Sequence, residues 1–205
     1  MKLRRTCLLP FLLTVAAAPP PSPAAPTSAE QALRNTEAQE GLLPVHVDRK
    51  GGRIFLTLPA PDGAGISGRF IYLTTLETGL GSAPIGLDRA QASGSRLLVF
   101  RRIGRKVVAE IENPRFRAAG APAEVQEGVR RSFATSTIWM GDVAAEQPDG
   151  RLLVDISSFL TRDDVNIAGA LKQGGGGEFK LAPELSVADT NSSRTFRTIS
   201  SWRGG

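Results

Sequence analysis

Cysteine, histidine and aromatic residues are scarce in this chain, and each shortage closes off a class of chemistry. Of 205 residues one is cysteine, Cys7, one is histidine, His46, and aromatics make up only 6%. Arg4-Arg5-Thr6 before Cys7 are not the small or aliphatic residues that precede a lipoprotein cysteine, so no lipid anchor is expected. Cys7 also lies in the leader described below, so the mature chain can form no disulfide and must rely on its core. One histidine without cysteine cannot give the usual three nitrogen or sulfur ligands of zinc. Long apolar runs are missing too: Leu8–Ala18 falls short of the ~20 residues of a membrane span.

What is present begins with a targeting pattern. Lys2, Arg4 and Arg5 precede the apolar Leu8–Ala18 run, and Ala16-Ala17-Ala18 offers a small-residue cleavage site, the order of a secretory signal peptide. Pro19-Pro20-Pro21 then opens an extended tether, so residues 1–29 are set apart from the fold and the chain is expected to be exported, to the periplasm or beyond. Cleavage changes the charge argument. Removing Lys2, Arg4 and Arg5 leaves 22 basic against 20 acidic residues, a net +2 instead of +5. The basic balance is then weak support for a nucleic-acid partner, and no membrane association is expected after cleavage.

The remaining sequence is punctuated by 22 Gly and 14 Pro, which favours turns over long helices, and no internal repeat is visible. Residues 30–40 read as a linker or short helix. Pro44–Arg49 and Arg53–Leu58 flank Lys50-Gly51-Gly52 as a hairpin. Phe70–Leu76, continuous in apolar and β-branched residues, reads as a buried strand. Leu97–Ile103 and Val107–Ile111 flank a Gly104 turn as a second hairpin. Pro122–Phe133 looks helical, with Val125, Val129 and Phe133 on one face. Thr135–Glu146 and Leu152–Ile156 return to strand around Asp149-Gly150, Ser157 or Ser158 can cap a short turn, and Val165–Leu171 can form a helical turn or two. The predicted fold is α+β: a mainly antiparallel sheet built from hairpins, with one or two short helices, over residues 41–196.

Chemistry-bearing constellations are sparse. His46 alternates with Val45 and Val47 on a strand, beside Asp48, and the simpler reading is a rim histidine rather than a general base. Asp163-Asp164 is the one adjacent carboxylate pair and has no calcium-loop motif behind it. Arg101, Arg102, Arg105 and Lys106 cluster at the central hairpin, where they read as a charged edge, and stacking aromatics for bases are lacking there, Phe100 excepted. Gly79-Leu80-Gly81 and Gly174–Gly177 read as turning and flexible backbone. Asn191-Ser192-Ser193 fits the N-glycosylation pattern. No catalytic, cofactor-binding or metal-ligating residue is assigned.

Segment order carries a further signal. Gly41–His46, Gly68–Leu73, Gly79–Ser82, Leu97–Glu112, Val129–Ser136, Trp139 and Leu153–Asp163 follow one another with a spacing that resembles the N-terminal, non-catalytic region of large exported bacterial zinc-dependent metalloproteases. The resemblance runs from Gly41 to about Phe196 and rests on order and spacing, no single motif being diagnostic. In that family the region has no assigned function and precedes a catalytic domain with a His-Glu-x-x-His helix, which this sequence lacks. None of the family's zinc ligands can be placed on it. The resemblance implies an accessory or prodomain-like module whose partner is that catalytic domain. A stand-alone periplasmic or secreted binding module is the alternative. Residues 197–205, ending Trp202-Arg203-Gly204-Gly205, depart from the family's pattern, and the expectation is a truncated fragment.

Overall fold

The computed structural model describes residues 29–81, 85–116 and 118–191, without the side chain of Arg130. Eight strands form one sheet: β1 (Glu37–Gln39), β2 (Val45–Asp48), β3 (Arg53–Leu58), β4 (Ile66–Tyr72), β5 (Arg96–Ile103), β6 (Lys106–Glu112), β7 (Ser136–Glu146) and β8 (Leu152–Asp155). Their spatial order is β1-β2-β3-β8-β7-β6-β5-β4, and every pairing is antiparallel. Four short helices accompany them, where one or two are expected: α1 (Ala29–Leu33), α2 (Ala123–Ser132), α3 (Ser157–Leu160) and α4 (Ile167–Gln173). None of them is long and apolar enough to cross a membrane.

Both expected hairpins form. At the tip of β5–β6, Gly104 takes φ +59°, a conformation that costs a residue with a side chain. Alternation then sends Leu98, Phe100, Val107 and Ala109 to one face, with Ile54, Leu56, Leu58, Leu152 and Val154 joining them. The other face of the central hairpin is less open than its charges suggest. Val99 and Val108 are fully buried there, and the Arg101–Glu110 ion pair (3.1 Å) runs diagonally between the same two strands.

The sheet is strongly curled. Five strand spacings separate β3 from β4, about 24 Å if flat at ~4.8 Å per strand. Yet only residues 59–65 join them, and the Asp62 carboxylate folds part of that link into a turn by accepting from the amides of Ala64 and Ile66 at 2.9 and 2.8 Å. The link crosses one end of the sheet, passing Gly150 of the β7–β8 turn and handing the Gly65 carbonyl to the Arg102 amide at 2.7 Å. β7 makes the corner: residues 136–142 pair with β6, residues 143–146 pair with β8, and bulges at Ile138 and Ala144 interrupt the two ladders.

Inside the curl lies one core, and Phe159 of α3 is its hub. Its ring meets Tyr72 at 5.6 Å, Trp139 at 5.7 Å and Phe100 at 6.0 Å between centroids. On the outer face a smaller cluster of Phe55, Ala145 and Leu153 is covered by Ala29, Ala32 and Leu33 of α1. Residues 30–40, read as a linker or short helix, therefore belong to the fold through α1 and through β1, which pairs with β2.

One further expectation needs correction. The Phe70–Leu76 run does not make a strand buried on both faces. β4 is the last strand of the sheet among the described residues, and Ile71 on its outer face is 84% exposed. The Pro122–Phe133 helix forms as α2, with Val125 and Phe133 of its apolar stripe exposed and Phe133 stacked on Phe116 at 3.9 Å between centroids.

Candidate functional site

The end of the curl opposite the 59–65 link is where polar groups converge. α3 starts there by borrowing Asp155, whose Oδ1 accepts from the Ser157 amide at 2.9 Å and from the Ser157 hydroxyl at 2.6 Å. Neither Ser157 nor Ser158 caps the helix as the sequence suggests. Ser157 Oγ accepts from the Ile54 amide of β3, and Ser158 Oγ accepts from the Trp139 indole, both at 2.9 Å. The two serines thus fasten α3 to the sheet instead.

Beyond α3 the Asp163-Asp164 pair splits. Asp163 accepts from the amides of Ile167 and Ala168 at 2.6 and 3.0 Å, which starts α4. Asp164 turns inward, accepting from the Thr74 hydroxyl at 2.8 Å, from Arg162 at 3.2 Å and from Arg96 of β5. Burial pushes the Asp164 carboxyl up, but the Thr74 hydroxyl and the two guanidinium groups outweigh it and hold the carboxyl below the usual range. Burial, with Asp164's charge next, raises the Tyr72 phenol, whose oxygen accepts from Arg162 at 3.3 Å. Arg96 and Arg162 lie over the Tyr72 and Phe159 rings at 5.1 and 4.3 Å. These contacts clamp α3 and α4 to the sheet, and the Arg96 Nε is buried beside them without a hydrogen-bond partner among the described residues.

Next to the clamp, α4 and residues 179–186 form an open groove of about 370 Å³. Ile167, Leu171, Phe179, Leu181 and Leu185 make most of its wall, and Arg162, Asp163 and Lys180 stand among them. Phe179, Leu181 and above all Leu185, 84% exposed, present apolar surface to solvent. A smaller groove of about 180 Å³ on Leu76, Leu80 and Leu87 shares Ile167 and Leu171 with it. Sequence reasoning missed this site. Its residues come from separate short segments with no common period.

Other sequence-predicted positions lie apart. His46 is on the outer face of β2, its Nε2 at 3.1 Å from Thr57 Oγ1, and burial lowers its pKa, with Glu40 opposing and Arg151 adding to the effect. Asp48 serves the β2–β3 turn through Gly51 and Arg53, not His46. At the β5–β6 tip Arg101, Arg102 and Lys106 pair with Glu110, Glu146 and Asp142. Gly79 passes so close to Leu87 and Asp88 that a side chain would strike their backbone. Gly174–Gly177 ends α4: the Gly175 amide donates to the Lys172 carbonyl at 3.2 Å and the Gly176 amide to the Leu171 carbonyl at 2.8 Å, with Gly175 at φ +77°. Asn191 Oδ1 accepts from Arg49 at 2.9 Å, while Ser192 and Ser193 lie outside the described residues. Among the described residues no three His, Cys, Asp or Glu side chains gather in a metal-holding group. No family model, curated protein or solved structure matches the chain.

Proposed function

We propose that the chain is a non-catalytic accessory module that docks on a partner protein through the α4 groove, the partner being the catalytic domain of an exported zinc-dependent metalloprotease. The observation that carries docking is the exposure of Phe179, Leu181 and Leu185 along one open groove. Apolar surface gathered in this way favours a protein contact over a self-contained monomer. The polar groups beside it fit the non-catalytic part: Asp163 accepts from the first amides of α4, and Asp164 is held by two arginines. The choice of partner rests on the segment order that resembles the metalloprotease accessory region, as does export. Neutralisation of the β5–β6 tip by acidic neighbours supports the reading without a nucleic-acid partner.

A photoreactive residue at position 185 of the full chain, produced in its own host, tests the reading. Cross-linked peptides from an exported protein carrying His-Glu-x-x-His are expected, and the same probe at the remote, exposed Met140 should not capture them. Capture of a protein without that motif instead supports the stand-alone binding module. No position-specific cross-link removes the docking reading altogether. Mature N-termini between Pro19 and Glu30 in the exported fraction are expected as well, and intact chain confined to the cytoplasm would overturn export.

A further inference from the structure

We propose that two copies of this chain pair edge to edge through β4, antiparallel about a two-fold axis at Ile71. The outer edge of β4 has no strand beside it among the described residues. Its inner side stays laddered past Tyr72: the Ser93 amide donates to the Thr74 carbonyl at 2.9 Å, and the Leu76 amide donates to the Gln91 carbonyl at 3.0 Å. The backbone is therefore held extended well beyond β4 itself, and among the described residues no strand takes up its outer amides and carbonyls, which can template another strand.

Edge protection is lopsided. The opposite edge, β1, is three residues long and bears the Arg49–Glu37 ion pair at 2.9 Å. On β4 the protective features sit at the start, a bulge at Ser67 and then Arg69. After Arg69 the strand reads Phe70-Ile71-Tyr72-Leu73. Ile71 is 84% exposed and Leu73 51%, and as alternate residues they share the outer face.

Of the registers that oppose no like charges, the one with its axis at Ile71 sets Phe70 against Tyr72. An axis at Ile71 sets Ile71 against itself, Phe70 against Tyr72 of the other copy, and Arg69 against Leu73. It brings aromatic with aromatic and Ile71 with Ile71, and sets no like charges opposite. An axis at Arg69 would oppose two guanidinium groups. An axis at Phe70 would waste Tyr72 on Gly68 and Leu73 on Ser67. Arg69 is already neutralised by Glu112 at 3.3 Å, so its approach to Leu73 strands no charge. The pairing uses a different face from the α4 groove and is independent of the docking proposal.

Sedimentation velocity on the full chain from about 1 to 200 µM covers the weak end of specific interfaces and tests the proposal. A concentration-dependent dimer is expected. Ile71→Lys should raise its dissociation constant at least about tenfold, with the thermal midpoint unchanged because the side chain is exposed. Leu73→Lys should act likewise and serves if Ile71→Lys does not fold. Met140→Lys, an exposed outer-face position on β7, and Leu185→Lys in the groove should leave the dimer intact. A monomer throughout the range overturns the proposal, even one that takes up a foreign extended peptide. So does a dimer indifferent to both β4 substitutions, or one weakened equally by Leu185→Lys.

Discussion

Trp139 and Ser158 are joined by a 2.9 Å hydrogen bond from the indole Nε1 to the serine Oγ, and this contact ties the corner strand of the sheet to the helix that closes its interior. Trp139 is buried but Ser158 is exposed, so water can take up part of the indole's bond when the hydroxyl is removed. Ser158→Ala should therefore destabilise the fold by about 0.5–1.5 kcal/mol, and Trp139→Phe by more, because ring volume is lost too. A double-mutant cycle read by chemical denaturation should return a coupling above about 0.5 kcal/mol. Strict additivity would show that the bond contributes nothing.

Phe159 fixes three strands at once. Truncation to Ala removes the ring that meets Tyr72, Phe100 and Trp139 and should cost about 3–5 kcal/mol. Phe159→Leu, which keeps most of the volume, should cost clearly less. Equal losses for the two would mean that packing around the ring is loose.

The Asp164 clamp predicts acid sensitivity. Its carboxyl titrates below the usual range in the folded state, so the unfolded chain binds that proton more readily. The resulting stability is fully present above the unfolded value of ~3.9 and is lost as pH falls through the lower folded value. Asp164→Asn should lower stability at pH 7 and flatten the melting curve's dependence on pH below about 5. Parallel profiles for the two proteins would exclude a role for this carboxylate in acid unfolding.

His46 acts in a separate window. Burial lowers its folded pKa, so the unfolded state binds the proton first and stability declines as pH drops below ~6.5. Replacing it with Gln keeps a hydrogen-bonding group near Thr57 and removes the titration. The variant's melting midpoint should fall less than the native chain's between pH 7 and 5. Identical declines would assign the effect to other groups.

The elements that were legible in the sequence are those whose cause is local. Gly104 between two alternating runs leaves a hairpin as the economical backbone path, and Asp149-Gly150 does the same for β7 and β8. β1 was not legible. Glu37-Ala38-Gln39 carries no strand pattern of its own and becomes a strand only through pairing with Val45, His46 and Val47. The clamp was equally hidden, since Arg96 and Asp164 stand 68 positions apart and nothing local matches one to the other. The groove's apolar residues, from Ile167 to Leu185, share no period.

The sequence by itself determined the α+β class, the hairpins and their alternation, because propensity, turn chemistry and period act over a few neighbouring residues. It also placed the apolar run at Phe70–Leu76. Only the tertiary structure decided what that run faces. The curl closes its inner face over Phe159 while Ile71 on its outer face is exposed and no strand pairs with its edge among the described residues, and exposure depends on neighbours that sequence order alone does not supply. For the same reason Asp163 and Asp164, chemically identical and adjacent, acquired different tasks. One met the free amides of a helix start, and the other met the guanidinium of Arg162, two positions before it, and that of Arg96, brought in by the distant strand β5.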